Sequence, residues 1–178
     1  SMSLIFVLVL MFNIFKAGLG GFYKTVFTIP FHFDQQLLKL EDHPSSEQIQ
    51  KASFRKLIAN KFEIIFSGYS KEEMKDINKI FYRKIDQELQ QYLIDNPDNL
   101  NKTINVSLTA STDIDQIHKG NFDRTIPEKF RKVNDFQLKI YDDLLEKNQV
   151  ETKFNKVYFT TGDSRDPESA GVAGSVMG

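Results

Sequence analysis

The chain lacks cysteine and has few of the residues from which a metal site could be built. No cysteine occurs among its 178 residues, which excludes disulfides, thiolate zinc sites, iron–sulfur ligation and a cysteine nucleophile. Three histidines, His32, His43 and His118, are too far apart in sequence to form a local metal motif. Alternation around His32 predicts that its side chain lies on the solvent side of a strand. We therefore predict no metal site and no cofactor.

An excess of positive charge is also missing. The chain has 23 Lys and Arg against 24 Asp and Glu, a net charge of −1, whereas proteins that bind nucleic acid normally carry a basic excess. A phosphate-binding loop, a dinucleotide fingerprint and a G-x-S-x-G motif are absent from the sequence. Neighbouring carboxylates such as Asp113/Asp115 and Asp142/Asp143 are expected at the surface of a chain with 26% charged residues. The sequence therefore predicts neither an enzyme nor a nucleic-acid-binding protein.

The first fifteen residues carry no charge, and residues 4–15 form an apolar run interrupted only by Asn13. As a helix, twelve residues span ~18 Å, which is less than the ~30 Å of a bilayer's hydrocarbon core. Three interpretations fit this run: a buried core helix, the apolar region of a signal peptide, or half of a transmembrane helix. A signal peptide would need basic residues before the run, and a surface helix would need a polar face.

The middle of the chain predicts an α+β domain with a small sheet and about three main helices. Residues 25–33 alternate as a strand does, with Phe27, Ile29, Phe31 and Phe33 on one face. Pro30 within this segment predicts an edge strand. Further extended segments are predicted at 103–109 and 153–160, and helices at about 46–66, 70–93 and 134–147.

Two helix starts carry recognisable capping residues. Ser45 or Ser46 is a candidate N-cap of the first helix, and Ser70 with Glu73 has the spacing of a capping box. The apolar positions of the second helix are expected to face the core, with a partner-binding groove as the alternative. The Lys and Glu residues between them predict a solvated face.

The C-terminal segment predicts a turn followed by the start of a helix. Its residues are Gly162, Asp163 and Ser164 in the turn, Asp166 as N-cap, and Pro167 at the first helical position. The helix contains Gly171, Gly174 and Gly178, and small residues of this kind allow close packing of membrane helices. We expect this chain to be a piece of a longer protein that is cut inside the helix beginning at Pro167.

The same segment carries a resemblance to a known family. Residues 159–171, FTTGDSRDPESAG, closely resemble the stretch before the second membrane helix of PstA-type permeases of phosphate ABC importers. Residues 105–128 resemble that family's strand, D-[IV]-D turn and K-G-x-x-D-R-x-[IV]-P block. Residues 135–155 resemble its last helix and the start of its final strand, and residues 5–25 the outer part of its first membrane helix. The resemblance is least specific over residues 46–95.

The resemblance implies three segments. Residues 1–23 would be part of the first transmembrane helix, residues 24–160 an extracytoplasmic α+β domain, and residues 161–178 the turn and start of the second transmembrane helix. It also implies a location in the bacterial inner membrane, with the domain facing the periplasm. Lys16 and Lys24 flank the expected outer side, which runs against the positive-inside rule.

The resemblance also implies a function in phosphate import and a set of partners. These are the second permease subunit, the periplasmic phosphate-binding protein, the membrane, and the ATPase subunit through regions absent from this chain. Arg165 is the candidate ligand-binding residue, since its charge would attract phosphate near the channel mouth; a salt bridge with Asp163 or Asp166 is its competing role. The alternative function is a single-anchor extracytoplasmic sensor or adaptor.

Overall fold

The computed structural model describes residues 2–19 and 22–154. Its helices are α1 (Met2–Leu19), α2 (Gln35–Leu38), α3 (Ser46–Lys51), α4 (Phe54–Ile65), α5 (Lys71–Asn78), α6 (Ile85–Asp95), α7 (Thr112–His118) and α8 (Asp135–Glu146). Its strands are β1 (Tyr23–His32), β2 (Thr103–Thr109) and β3 (Val150–Phe154). The predicted α+β class is confirmed. Contacts divide the chain into two compact units, residues 25–151 and the two chain ends.

Helix α1 belongs to the unit formed by the chain ends. All side chains at positions 2–15 are exposed, and Phe6, Phe12 and Phe15 each expose about two thirds of their surface. Among the described residues, no helix combines the length and the apolar character needed to cross a membrane. The assignment of residues 1–23 to a partial membrane helix stays a prediction.

The three strands form an antiparallel sheet in the order β2-β1-β3, so β1 is the central strand. The prediction that Pro30 marks an edge strand was therefore wrong for β1 as a whole. The backbone N–H of Thr28 donates to the carbonyl of Gln149 at 2.8 Å, on the β3 side of the strand. Pro30 lies two residues further along β1. Because β3 runs antiparallel to β1 and begins only at Val150, no residue of β3 lies opposite Pro30. Its missing N–H therefore costs the sheet no ladder hydrogen bond.

The outer edge of β2 is covered by helix α6. The backbone N–H of Ser107 donates to the hydroxyl oxygen of Tyr92 at 3.0 Å, and that of Thr109 donates to the Glu88 carboxylate at 2.9 Å. Side chains from one helix therefore satisfy donors that a bare edge strand would offer to another chain.

Both long predicted helices are interrupted. The first is broken at Ala52, which has an extended backbone conformation, so that residues 46–66 contain α3 and α4. The second is broken between α5 and α6, where Phe81 forms a β-bridge with Ala110 and the N–H of Tyr82 donates to the carbonyl of Thr109 at 2.8 Å. The second interruption thus follows from pairing with the sheet, which helical periodicity does not reveal.

The core lies between the sheet and the helices. The predicted inward face of β1 is confirmed, since Phe27, Ile29, Phe31 and Phe33 are at most 1% exposed. Phe62 of α4 lies 4.8 Å from Phe81, measured between ring centroids, and Phe81 lies 4.8 Å from Phe27. This chain of three aromatic rings connects α4, the segment before α6 and the central strand.

Candidate binding groove

An open groove of about 930 Å³ lies between α4, α5 and the start of α6, all within residues 25–151. The turn from α4 to α5 contains Gly68. Its backbone φ of +90° lies in a region that residues other than glycine rarely adopt. Helix α5 then begins at a reciprocal capping box between Ser70 and Glu73, as the sequence predicted. These local signals place the two helical walls beside each other.

The floor of the groove is apolar. It is formed by Ile58 and Phe62 of α4, Met74 of α5, Phe81 before α6 and Ile85 at its start. Four of the five are buried in the core, and Met74 is half-buried. The floor is therefore the outer surface of the domain's own core, and its shape is fixed by core packing.

The rim of the groove is basic. It carries Arg55, Lys71, Lys75, Lys79 and Arg83 against two acidic residues, Glu63 and Asp86. Arg55 lies 3.4 Å from Asp86, and Lys75 lies 3.3 Å from Glu72. Within residues 2–19 and 22–154, Lys71, Lys79 and Arg83 form no ion pair. Three exposed cations therefore stand beside an apolar floor without a neutralising acid.

Tyr69 lines the groove and is held by helix α8. Its ring packs edge-on against Phe136, with 5.3 Å between the ring centroids. The Nζ of Lys139 donates to the Tyr69 hydroxyl at 3.4 Å, and this hydrogen bond, with the nearby Asp143 carboxylate, raises the pKa of Lys139. Two side chains of α8 therefore hold the Tyr69 ring and hydroxyl in place.

The D-I-D turn of the sequence lies in the first turn of α7 and joins that helix to β1. Asp115 accepts hydrogen bonds from the N–H of Thr25 at 3.0 Å and from its hydroxyl at 2.8 Å. It also pairs with Lys119 at 2.8 Å, and Ile114 is fully buried. In this structure the turn therefore stabilises the domain.

The K-G-x-x-D-R block continues this junction towards α8. Arg124 forms a two-pronged pair with Asp142, both N–O distances being 2.8 Å, and its guanidinium lies 5.8 Å from the Tyr141 ring centre. The pairing with Asp142 raises the pKa of Arg124. The Tyr141 hydroxyl lies 2.7 Å from Nδ1 of His118. This cluster packs the loop after α7 against α8.

The residues predicted for the second membrane helix lie outside the described residues. They are Gly162, Asp163, Ser164, Arg165, Asp166 and Pro167. His32 is exposed on β1, as predicted, and its Nδ1 lies 3.0 Å from the Thr103 hydroxyl. In the described part of the chain, no group of three or more His, Asp or Glu residues is placed to hold a metal ion.

Sequence reasoning missed the rim of the groove. The sequence predicts that the apolar positions of the second helix face the core, with a partner-binding groove as the alternative. It predicts that the Lys and Glu residues between them form a solvated face. The available signal was the four-residue spacing of Lys71, Lys75 and Lys79, which aligns cations along one side of α5 up to its C-cap; Arg83 lies beyond the end of that helix.

The fold and the groove define this protein as an α+β domain with a basic-rimmed surface groove. The chain belongs to the DUF3333 family, a domain of unknown function, whose sequence model matches residues 1–128. The matched region contains α1 and all the elements that form the groove walls. No curated protein and no solved structure matches the chain.

Proposed function

We propose that residues 25–151 are an extracytoplasmic docking domain of a phosphate ABC importer permease. The observation that carries the docking function is the groove, where an apolar floor and three unneutralised cations lie side by side. Apolar surface supplies the driving force for association, and charges at the edge favour partners of opposite sign. The phosphate importer is proposed on the resemblance of residues 105–128, 135–155 and 159–171.

Helix α1 supports a membrane setting for this domain. Its side chains at positions 2–15 are exposed, and all of them except Ser3 and Asn13 are large and apolar. Such a surface is stable only in contact with lipid or with another apolar surface. On this proposal α1 is part of the first membrane helix.

The proposal names the periplasmic phosphate-binding protein of the same transporter as the partner of the groove. Titration calorimetry of the full 178-residue chain with that protein tests this. We expect binding that weakens as salt is raised, because salt screens exposed charges. Reversal of the three free cations, in Lys71→Glu/Lys79→Glu/Arg83→Glu, is expected to weaken binding by about tenfold or more.

A matched variant controls for net charge. Lys51, Lys102 and Lys132 are exposed and do not line the groove, and their replacement by Glu changes the net charge equally. We expect this control to bind nearly as the parent chain does. Equal losses in the two variants, with folding intact by circular dichroism, would assign the effect to net charge and refute docking in the groove.

The transport assignment has its own test in the coding sequence after Gly178. Several further apolar segments of about twenty residues would support a permease, because each is long enough to cross a bilayer. A stop codon shortly after Gly178 would overturn it and favour the single-anchor sensor or adaptor.

A further inference from the structure

We infer that the segment which occupies the groove is an acidic amphipathic helix of about three turns. This inference rests on the proposed docking function and specifies the chemistry of the partner. Its basis is the arrangement of the groove, in which the cations lie at the rim and the apolar side chains lie on the floor.

Charge determines the sign of the partner. The chain as a whole is balanced, with a net charge of −1, yet five of the seven charged residues around the groove are basic. Two of these five already pair with Asp86 and Glu72. The other three are available to carboxylates of a partner, whereas a basic partner would meet uncompensated like charge.

The floor determines the apolar character of the partner. Its five side chains are aliphatic, aromatic or thioether groups, so the floor offers no charged or amide group to a polar ligand. An apolar stripe laid along this floor would remove water from the stripe itself and from the exposed part of the floor, chiefly Met74, since the other four side chains are at most 8% exposed. Met74 adds a flexible side chain that adapts to the shape of the stripe.

The walls determine the backbone conformation of the partner. Two of them are the helices α4 and α5, whose internal N–H and C=O groups bond to each other and offer nothing to the backbone of an extended peptide. In the non-helical lining, Phe81 and Tyr82 already pair with Ala110 and Thr109. A helix satisfies its backbone hydrogen bonds internally and needs only side-chain contacts. Helix α4 has 12 residues and is ~18 Å long, which matches an occupant of about three turns.

Fluorescence anisotropy with synthetic peptides tests this inference on the full chain. The first labelled peptide is an amphipathic helix with an apolar stripe flanked by Glu, and the second has the same stripe flanked by Lys. We expect the Glu peptide to bind at least about tenfold more tightly than the Lys peptide. The groove variant Lys71→Glu/Lys79→Glu/Arg83→Glu is expected to abolish this preference, and the Lys51/Lys102/Lys132 control to keep it.

Four outcomes would overturn the inference. Equal binding of the two peptides would remove the electrostatic argument. Loss of the preference in the control variant as well would assign the preference to net charge and not to the groove. Failure of the Glu peptide, together with groove-dependent binding of vesicles that contain anionic phospholipid, would make a lipid surface the occupant. If the phosphate-binding protein docks in the groove and the Glu peptide does not bind, the helix inference fails while the docking proposal stands.

Discussion

At the scale of single residues, Asp115 links two segments that are ninety positions apart in the sequence. Thr25 is 1% exposed, and both its backbone N–H and its hydroxyl donate to one carboxylate oxygen of Asp115. Sequence alone identified the D-I-D turn, residues 113–115, but it placed the carboxylates of both Asp113 and Asp115 at the surface. The difference between them arises from tertiary contact with β1, which lies far away in the sequence.

Replacement of Asp115 by Ala is expected to lower the free energy of unfolding by about 2–3 kcal/mol, because two donors on buried Thr25 lose a charged acceptor. Asp113→Ala is the matched control, since both residues lie in the first turn of α7 and favour its N-terminus similarly. We expect the control to cost less than about 1 kcal/mol. Urea denaturation followed by circular dichroism measures both values, and equal costs would contradict the role assigned to Asp115.

Because of Tyr141, the free energy of unfolding is expected to fall as the pH rises in the alkaline range. The burial of Tyr141 raises the pKa of its phenol; Arg124 opposes this shift and Asp142 adds to it. The folded state therefore keeps the proton at a pH where the unfolded chain, with a tyrosine pKa of about 10, releases it. This contribution to stability is fully present below about pH 10 and is lost as the pH rises through the folded-state pKa.

Tyrosinate absorbance measures this titration directly. We expect a late-titrating phase that Tyr141→Phe removes and that Tyr82→Phe, a change at an exposed tyrosine, leaves in place. Persistence of the late phase in the Tyr141 variant would show that another tyrosine produces it. Unfolding of the whole chain before the phase begins would show that Tyr141 does not titrate in the folded state.

At the scale of elements, helix starts were predictable and the interruptions of the two long helices were not. The Ser70–Glu73 capping box is a local signal, and the structure contains it. For the helical region before it, the sequence predicted either Ser45 or Ser46 as the N-cap. In the structure Ser45 is the residue that caps α3. The break between α5 and α6 depends on the bridge from Phe81 to Ala110, a contact between residues distant in sequence.

The two serine caps on the groove helices provide a matched comparison. Ser70 accepts a hydrogen bond from the N–H of Glu73 at 3.1 Å, whereas Ser53, the N-cap of α4, makes no side-chain capping bond. Ser70→Ala is expected to lower the free energy of unfolding by about 1 kcal/mol, and Ser53→Ala by only a few tenths. Thermal and urea unfolding of the two variants measure the difference, and a larger loss at Ser53 would contradict the assigned caps.

At the scale of the whole molecule, an almost neutral chain has one groove at which five of the seven charged lining residues are basic. The average composition concealed this, because the cations come from α4, α5 and the segment before α6. The class of fold was predictable from alternating and helical periodicities. The groove was not predictable, because its shape depends on the angle at which helices pack. Those helices are connected by the turn at Gly68 and separated by the break at Phe81.

Lysine footprinting tests the central claim, that this groove is where a partner docks. The full chain is acetylated briefly, with and without the proposed partner, a periplasmic phosphate-binding protein, and modification at each lysine is measured by mass spectrometry. The account predicts that Lys71, Lys75 and Lys79 become protected in the complex, while the exposed Lys51, Lys102 and Lys132 stay reactive. Protection of the second set without the first, or no protection at saturating partner, would contradict it.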